Sequence, residues 1–564
     1  MTKPMLWSLC ASDSRGGAGM QAVIAQGALH NVECRSIVTA LTAQSHQGVA
    51  MVEPVSHSML EAQWSAAVHD GKPDVVVVGW LPANETLIDW VINKLHTLTC
   101  PVIWDPVLSA THTLSNTGIE SVTGDAVSGF DPAIDMLRAL IPYVTVITPS
   151  LAEARWLVKD ETCDALIAAR RLQQLGAHTV MITGGDSRPE TSHTEGSWVT
   201  DIVVSQCNNN QPETVVLSEF AIHQRPIEQH AHGTGSQLAA ALAVFVAQGE
   251  RLYDALLMAA LAAREALKNA SLGGDGDYAQ YKNTVAAPLP ENGDEWPLVT
   301  AIDCSPEHYL PEYSTHNFLQ TKDKQKAKVK QKAKEKQQAN DTVLPATGEL
   351  GLYALTDNLE HLDSLIRLKV DSIQWRVKEK TANYKKNASL ALQRCRNAGI
   401  PCWINDDWQL ALELHPEGVH LGQEDMVIAD LPALRKAGVG IGISTHTQWE
   451  IARARAVNPS YIAFGPVFPP LSKQLKYPPL GISQVRQWHQ RYSSWPHTCI
   501  GGIVPANAED VAATHIGSLA IVTCLQPGPE QENNAKALQQ ALKKFCTSPK
   551  YLSSVERPLI KEKQ

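Results

Sequence analysis

Short apolar runs alternate with stretches of helical spacing along most of this chain, and in its C-terminal half each run ends in polar residues or glycine. From Gly351 onward the runs are Leu352–Thr356, Ser372–Val377, Cys402–Asn405, Gly418–Gly422, Gly440–Ser444, Tyr461–Gly465, Thr498–Gly502 and Leu519–Thr523. Helix-like segments fill every gap. Eight β-then-α units in succession predict a (β/α)8 TIM barrel, an architecture that carries its chemistry on loops at the C-terminal ends of the strands.

The polar residues follow that geometry. The second run ends in Gln374, Arg376 and Lys378, the third in Asn405 and Asp406, the fourth leads to Gln423, Glu424 and Asp425, and the fifth ends at Ser444. The sixth leads to Ser472 and Lys473, the seventh closes on Gly501 and Gly502, and the eighth on Val522 and Thr523. The last two ends are where barrels commonly build a phosphate site from backbone N–H groups. Any one of these residues would pass as ordinary turn chemistry; eight ends in agreement point to a site.

The N-terminal half alternates as well. Runs at Leu6–Ala11, Ile37–Ala43, Val75–Leu81, Val102–Val107, Val144–Thr148 and Thr179–Thr183 are separated by helical stretches, which predicts an open α/β sheet with a parallel core. Near its end, His232-Gly233-Thr234-Gly235-Ser236 opens an alanine-rich helix. Small residues with free N–H groups at a helix start can form an anion hole, and tight packing explains them equally well. Between Pro288 and about Thr347 the composition changes, and lysine occupies every second position from Lys322 to Lys336. Such spacing leaves no apolar face to bury, so a solvated tether is expected. The predicted domains are 1–285, a flexible lysine-rich linker over 286–347, the barrel over 348–547 and a tail over 548–564.

Composition narrows the class. With 44% hydrophobic and 19% charged residues the chain reads as an ordinary globular protein, and its net charge of −10 argues against general nucleic-acid binding. No apolar run reaches a membrane span, and residues 1–20 lack a signal-peptide pattern, so a cytoplasmic location is expected. The 11 cysteines include no C-x-x-C pair, which favours reduced thiols over a disulfide or zinc framework. His415, His420, His446 and His515 lack ligand spacing, and structural or loop roles are expected for them, with His420 pointing into the barrel as packed core. The glycines Gly438, Gly440 and Gly442 are followed by no dinucleotide-binding turn.

Taken in order, Gln374-Trp375-Arg376-Val377-Lys378, Ile404-Asn405-Asp406, Gly418 to Asp425, Ser444-Thr445-His446-Thr447, Gly465 to Pro469 and Ile500 to Ile503 resemble the thiamine-phosphate synthase family. The resemblance implies a barrel that joins a hydroxymethylpyrimidine diphosphate to a thiazole phosphate, giving thiamine phosphate and pyrophosphate. It also implies that Gln374 and Asn405 contact the pyrimidine diphosphate, that Ser444 is a substrate-binding residue, and that the thiazole phosphate lies against Gly502, Val522, Thr523 and the loop around Ser472. Read independently, Asp406 and Asp425 are hard oxygen donors suited to Mg2+. Arg376, Lys378 and Lys473 supply charge for a departing diphosphate. One departure stands out: where the family has a Thr-x-Thr-Lys loop this chain reads Pro470-Leu471-Ser472-Lys473, which predicts weaker thiazole-phosphate binding with the chemistry retained. A barrel that binds two phosphates without coupling their carriers is the other reading.

The N-terminal half resembles hydroxymethylpyrimidine (phosphate) kinases of the ribokinase-like fold. The resemblance is carried by Ala11-Ser12-Asp13, Gly16 to Ala22, Thr39 to Gln44, Trp104-Asp105-Pro106-Val107, Ile147-Thr148-Pro149 and Ile182 to Gly185. It implies ATP as a substrate, Gln44 as a pyrimidine contact, and Gly233, Thr234, Gly235 and Ser236 around the transferring phosphoryl group. Four positions depart from the family: Val23 replaces an aspartate, Thr183 a lysine, Ser150 an asparagine and Ser236 a cysteine. Ser236 is a poor proton acceptor without an adjacent base. Two readings follow, an ATP-dependent kinase or a non-catalytic pyrimidine-binding or scaffolding module. Small-molecule substrates are the expected partners, with no membrane and no nucleic acid, and with room for a homo-oligomer.

Overall fold

The computed structural model describes residues 3–45, 48–107, 132–184, 198–207, 216–227, 231–272, 282–302, 350–469 and 477–545. The chain divides into two compact units, Met1–Pro290 with Trp296–Ser305, and Glu291–Glu295 with Pro306–Gln564.

In the first unit the predicted runs become β1 (Met5–Asp13), β2 (Glu33–Ser45), β4 (Val75–Val78), β5 (Val102–Trp104), β6 (Val146–Ile147) and β7 (Thr179–Ile182), and these pair in parallel. The four valines of β4 are all buried, as expected for β-branched residues in a strand covered on both faces. Four more strands extend the sheet with antiparallel pairing: β3 (Gly48–Pro54) on β2, β8 (Val199–Cys207) on β7, β9 (Val216–Gln224) on β8, and β13 (Leu298–Ala301) on β9. The result is a ten-stranded sheet in the order β13-β9-β8-β7-β6-β5-β4-β1-β2-β3. Between β9 and β13 in the chain, β10 (Ala231–His232), β11 (Ser271–Leu272) and β12 (Lys282–Asn283) form a small separate sheet. This is the expected open α/β sheet, larger than its parallel core.

The strand β13 corrects one boundary. The change of composition at Pro288 does not begin a flexible segment throughout, because Leu298 and Val299 are buried and β13 completes the sheet edge through backbone pairs with β9. The lysine series lies outside the described residues.

The second unit is a closed parallel barrel of β14 (Gly351–Thr356), β15 (Ser372–Trp375), β16 (Cys402–Asn405), β17 (Gly418–Leu421), β18 (Gly440–Thr445), β19 (Tyr461–Phe464), β20 (His497–Ile500) and β21 (Ser518–Ile521). Closure is made by β14, which pairs with both β15 and β21. Several outer helices start directly after the strand ends on side-chain caps. Asn358 Oδ1 accepts from Glu360 N at 2.7 Å, Asp407 Oδ1 from Leu410 N at 3.0 Å and Thr447 Oγ1 from Glu450 N at 3.2 Å. These caps hold short, defined loops at the mouth of the barrel. Among the described residues no helix is long and apolar enough to cross a membrane.

Candidate active site

Successive residues of a strand face opposite sides, so every second side chain of β14–β21 enters the barrel. Ile373, Trp375, Ile404, Val419, Leu421, Ile441, Ile443 and Phe464 pack outward into the helical layer. Tyr353, Leu355, Trp403, Tyr461, Ala463 and Ala520 fill the interior. On that same inward face stand Gln374, Asn405, His420, Ser444 and Thr498, which with Arg376 and Asp406 line a cavity of about 170 Å³.

Asp406 follows β16 with a left-handed φ of 61°, a conformation that aspartate tolerates better than most residues. Its N–H donates to the His420 carbonyl at 2.9 Å, and the Asn405 amide donates to its carboxylate. Burial and the neighbouring Asp425 charge push its carboxyl up to about 6, against the opposing pull of Arg376. Asp425 opens the helix Asp425–Ile428 and accepts from the Gly422 N–H at 3.3 Å. Two neighbouring carboxylates, the charge of one raising the other, are a donor set suited to a hard divalent cation. Among the described residues, no group of three or more His, Cys, Asp or Glu could hold a metal; a cation here would therefore draw further ligands from water or substrate oxygens.

The other sequence-predicted residues divide into groups. Gln374 is almost fully buried, and Arg376 is anchored by its N–H to the Thr356 carbonyl at 2.8 Å. Lys378 is exposed and does not line the cavity. Gly502, Val522 and Thr523 follow the neighbouring strands β20 and β21, also outside the cavity lining. Gly501 and Gly502 have φ of 100° and 65°, and a Cβ on Gly502 would come within 2.7 Å of Phe468 Cβ. That backbone is therefore restricted to glycine and leaves the turn bare. Ser472 and Lys473 lie outside the described residues. Beyond them, Tyr477 OH donates to Glu450 Oε1 at 2.9 Å, and its ring stacks on His446, whose Nδ1 is 2.8 Å from Glu450 Oε2.

Sequence reasoning missed the roles of His420, Tyr353, Tyr461 and Thr498. His420 is buried, as expected of packed core, yet it also lines the cavity and is hydrogen-bonded through both ring nitrogens, to Tyr461 OH at 2.7 Å and Ser444 Oγ at 2.8 Å. The inward alternation of Gly-Val-His-Leu-Gly was its only signal.

In the first unit, Asp13 at the end of β1 accepts from Arg15 N, Gly17 N and Ala18 N at 2.8, 3.0 and 2.8 Å, and lies 3.3 Å from His232 Nε2. Burial acts to raise its carboxyl, but these bonds hold it below the usual range. Gly233, with φ 94°, packs so closely that a Cβ would sit 2.0 Å from the Gly17 carbonyl oxygen. Packing thus accounts for this glycine. Gly235 instead faces Asp105, and Ser236 Oγ donates to Asp105 Oδ2 at 3.3 Å. The sequence alone showed Ser236 no carboxyl neighbour; the fold brings Asp105 beside it. Burial, and then the Glu153 charge, push Asp105 up to about 8.

The remaining kinase-type positions are held by local structure. Gln44 Nε2 donates to Thr42 Oγ1 at 3.2 Å, and its N–H donates to Ser14 Oγ at 2.7 Å, beside the end of β1. Ser150 caps the helix Leu151–Val158 in a capping box with Glu153 and bridges to Thr183. Val23 is buried on the helix Gly19–Leu29.

A guanidinium, two carboxamides and a carboxylate thus gather in the cavity of a closed parallel barrel, the architecture that carries its chemistry at the C-terminal ends of its strands. The family described as thiamine monophosphate synthase matches residues 351–525, and the family described as phosphomethylpyrimidine kinase matches residues 13–279. The thiamine-phosphate synthase of Proteus mirabilis is 37% identical over 188 residues, 33% of this chain and 87% of the relative. That of Escherichia coli O157:H7 is 41% identical over 184 residues, 32% of this chain and 86% of the relative. A pyridoxal kinase from Staphylococcus aureus, solved in complex with pyridoxal, is 21% identical with a TM-score of 0.41, covering 54% of this chain and 100% of that one. Through its barrel this chain belongs to the thiamine-phosphate synthase family.

Proposed function

We propose that the barrel couples hydroxymethylpyrimidine diphosphate to thiazole phosphate, forming thiamine phosphate and pyrophosphate. The observation that carries this reading is the convergence of Gln374, Arg376, Asn405, Asp406 and Ser444 on one cavity within the region matched to the family. Gln374 and Asn405 orient the pyrimidine, and the Arg376 guanidinium grips diphosphate oxygens in a two-point fork. Asp406 and Asp425 would hold Mg2+, which when bound supplies positive charge against the departing diphosphate. Lys378 and Lys473 add further positive charge. The bare turn at Gly502, with Val522, Thr523 and Ser472, receives the thiazole phosphate. Cleavage of the C–O bond precedes capture of the pyrimidine cation by the thiazole nitrogen, so the site stabilises charge and needs no nucleophile of its own.

For the first unit we infer ATP-dependent phosphorylation of hydroxymethylpyrimidine or its phosphate, which would supply the diphosphate that the barrel consumes. The contact between Ser236 and Asp105 supports this reading, because it sets beside the hydroxyl a carboxyl held up to about 8, which can take the hydroxyl proton once ionised.

The full chain supplied with both synthase substrates and Mg2+ should release thiamine phosphate and pyrophosphate in equal amounts. Lys473→Ala should depress turnover more than thiazole-phosphate binding; equal small effects on both would contradict its assignment to the departing diphosphate.

A further inference from the structure

Around the cavity the barrel holds a continuous hydrogen-bond chain built from five strands. Gln374 Nε2 donates to Tyr353 OH at 2.9 Å, Tyr353 OH is 3.1 Å from Tyr461 OH, Tyr461 OH is 2.7 Å from His420 Nδ1, and His420 Nε2 is 2.8 Å from Ser444 Oγ. Each interior member has one proton to give, so the sense of the first bond fixes the rest. An amide N–H can only donate, so Tyr353 passes its proton to Tyr461, and Tyr461 passes its own to Nδ1 of His420. The imidazole is then left with Nε2–H, which donates to Ser444 Oγ. With Nδ1 accepting from Tyr461 and Nε2 donating to Ser444, the ring uses one acceptor and one donor nitrogen.

Both ends of this chain reach the cavity. At one end Gln374 is 2% exposed, and its Oε1 has no hydrogen-bond partner among the described residues. A buried amide oxygen in that state calls for a donor. At the other end the Ser444 proton is free to leave the chain toward a ligand.

We propose that Tyr353, Tyr461 and His420 are positioning residues that lock the Gln374 carboxamide and the Ser444 hydroxyl in fixed senses, so that the cavity takes a ligand offering an N–H donor to Gln374 and an oxygen acceptor to Ser444. This deepens the reading of the barrel as a pyrimidine diphosphate site and rests on it. An aminopyrimidine bearing a diphosphate offers both groups, whereas a ring with an oxo group in place of the amine sets oxygen against the Gln374 oxygen. Removing the Tyr461 hydroxyl strands the Tyr353 proton. That proton regains a partner only if the Gln374 amide turns over, which aims Nε2 into the cavity and relaxes or inverts the preference.

The test measures dissociation constants of the amino- and oxo-pyrimidine diphosphates for the full chain and for Tyr461→Phe and Tyr353→Phe, alongside turnover. The wild type should prefer the amino compound by roughly a hundredfold or more, and each variant should cut that ratio by about tenfold or more. Two isosteric variants guard against one that folds poorly. Equal weakening of both ligands with the ratio unchanged would make the tyrosines merely structural and overturn the proposal, as would a wild type without preference. If the wild type holds the ratio but releases no thiamine phosphate, the coupling reaction fails and the polarity assignment stands.

Discussion

Single side chains in the barrel owe their state to burial. His420 is lowered to about 4 and His497 to about 3, chiefly by desolvation. In the unfolded chain both imidazoles protonate near 6.5, whereas the folded barrel resists it, so the unfolded state binds more protons as pH falls. Barrel stability should therefore be full above about pH 6.5 and decline steadily towards pH 4. Chemical denaturation across that range, compared with His420→Gln, checks this: the variant should show a shallower acid decline. Asp406 makes the opposite kind of statement, since burial and Asp425 oppose its charge. Asp406→Asn should relieve that repulsion and fold well, yet lower turnover by about 10²–10³ and raise the Mg2+ concentration needed for half-maximal rate. An unchanged Mg2+ requirement would remove Asp406 from the metal site. The roles of His420 and the two tyrosines were not legible in the sequence, because Tyr353 and Tyr461, which meet in space, are 108 positions apart.

Elements were more legible. All eight barrel strands fell within a residue or two of the apolar runs, since in a parallel barrel each run ends at a polar loop or helix cap. Strands β8 and β9 were not foreseen because buried polar residues interrupt them. Asp201 on β8 accepts from Gly184 N at 2.9 Å, and His223 on β9 bonds Thr200 and Thr300 at 3.0 and 2.9 Å. Such residues read as loop until their partners across the sheet are known. The glycines of β17 and β18 acquire a packing reason instead of a cofactor role. A Cβ on Gly442 would meet Tyr461 Cζ at 2.3 Å, and one on Gly418 would meet Trp403 Cζ3 at 2.1 Å. These strands give up side chains so that large rings can fill the barrel. Gly442→Ala should accordingly cost about 1–3 kcal/mol of stability, read as a lower denaturation midpoint, and should weaken pyrimidine binding by displacing Tyr461.

At the scale of the whole molecule, two units with separate cores carry matches to two families. The sequence disclosed this organisation but placed the first boundary before β13, because a short edge strand following a run of prolines carries little periodic signal. Whether the first unit phosphorylates turns on the pair that only the fold brought together. With ATP, Mg2+ and hydroxymethylpyrimidine phosphate, the full chain should form the diphosphate, and Asp105→Asn should slow it by about 10²-fold or more. Diphosphate formed at the same rate by the variant would exclude Asp105 as the base.

The most direct test of the account is a paired assay of thiamine phosphate and pyrophosphate release from the two synthase substrates, with Mg2+, by the full chain and by Arg376→Ala. Equal release of both products, with turnover reduced by about 10²–10³ in the variant, is the predicted result. Absence of product from the wild type, or undiminished turnover in the variant, would contradict it.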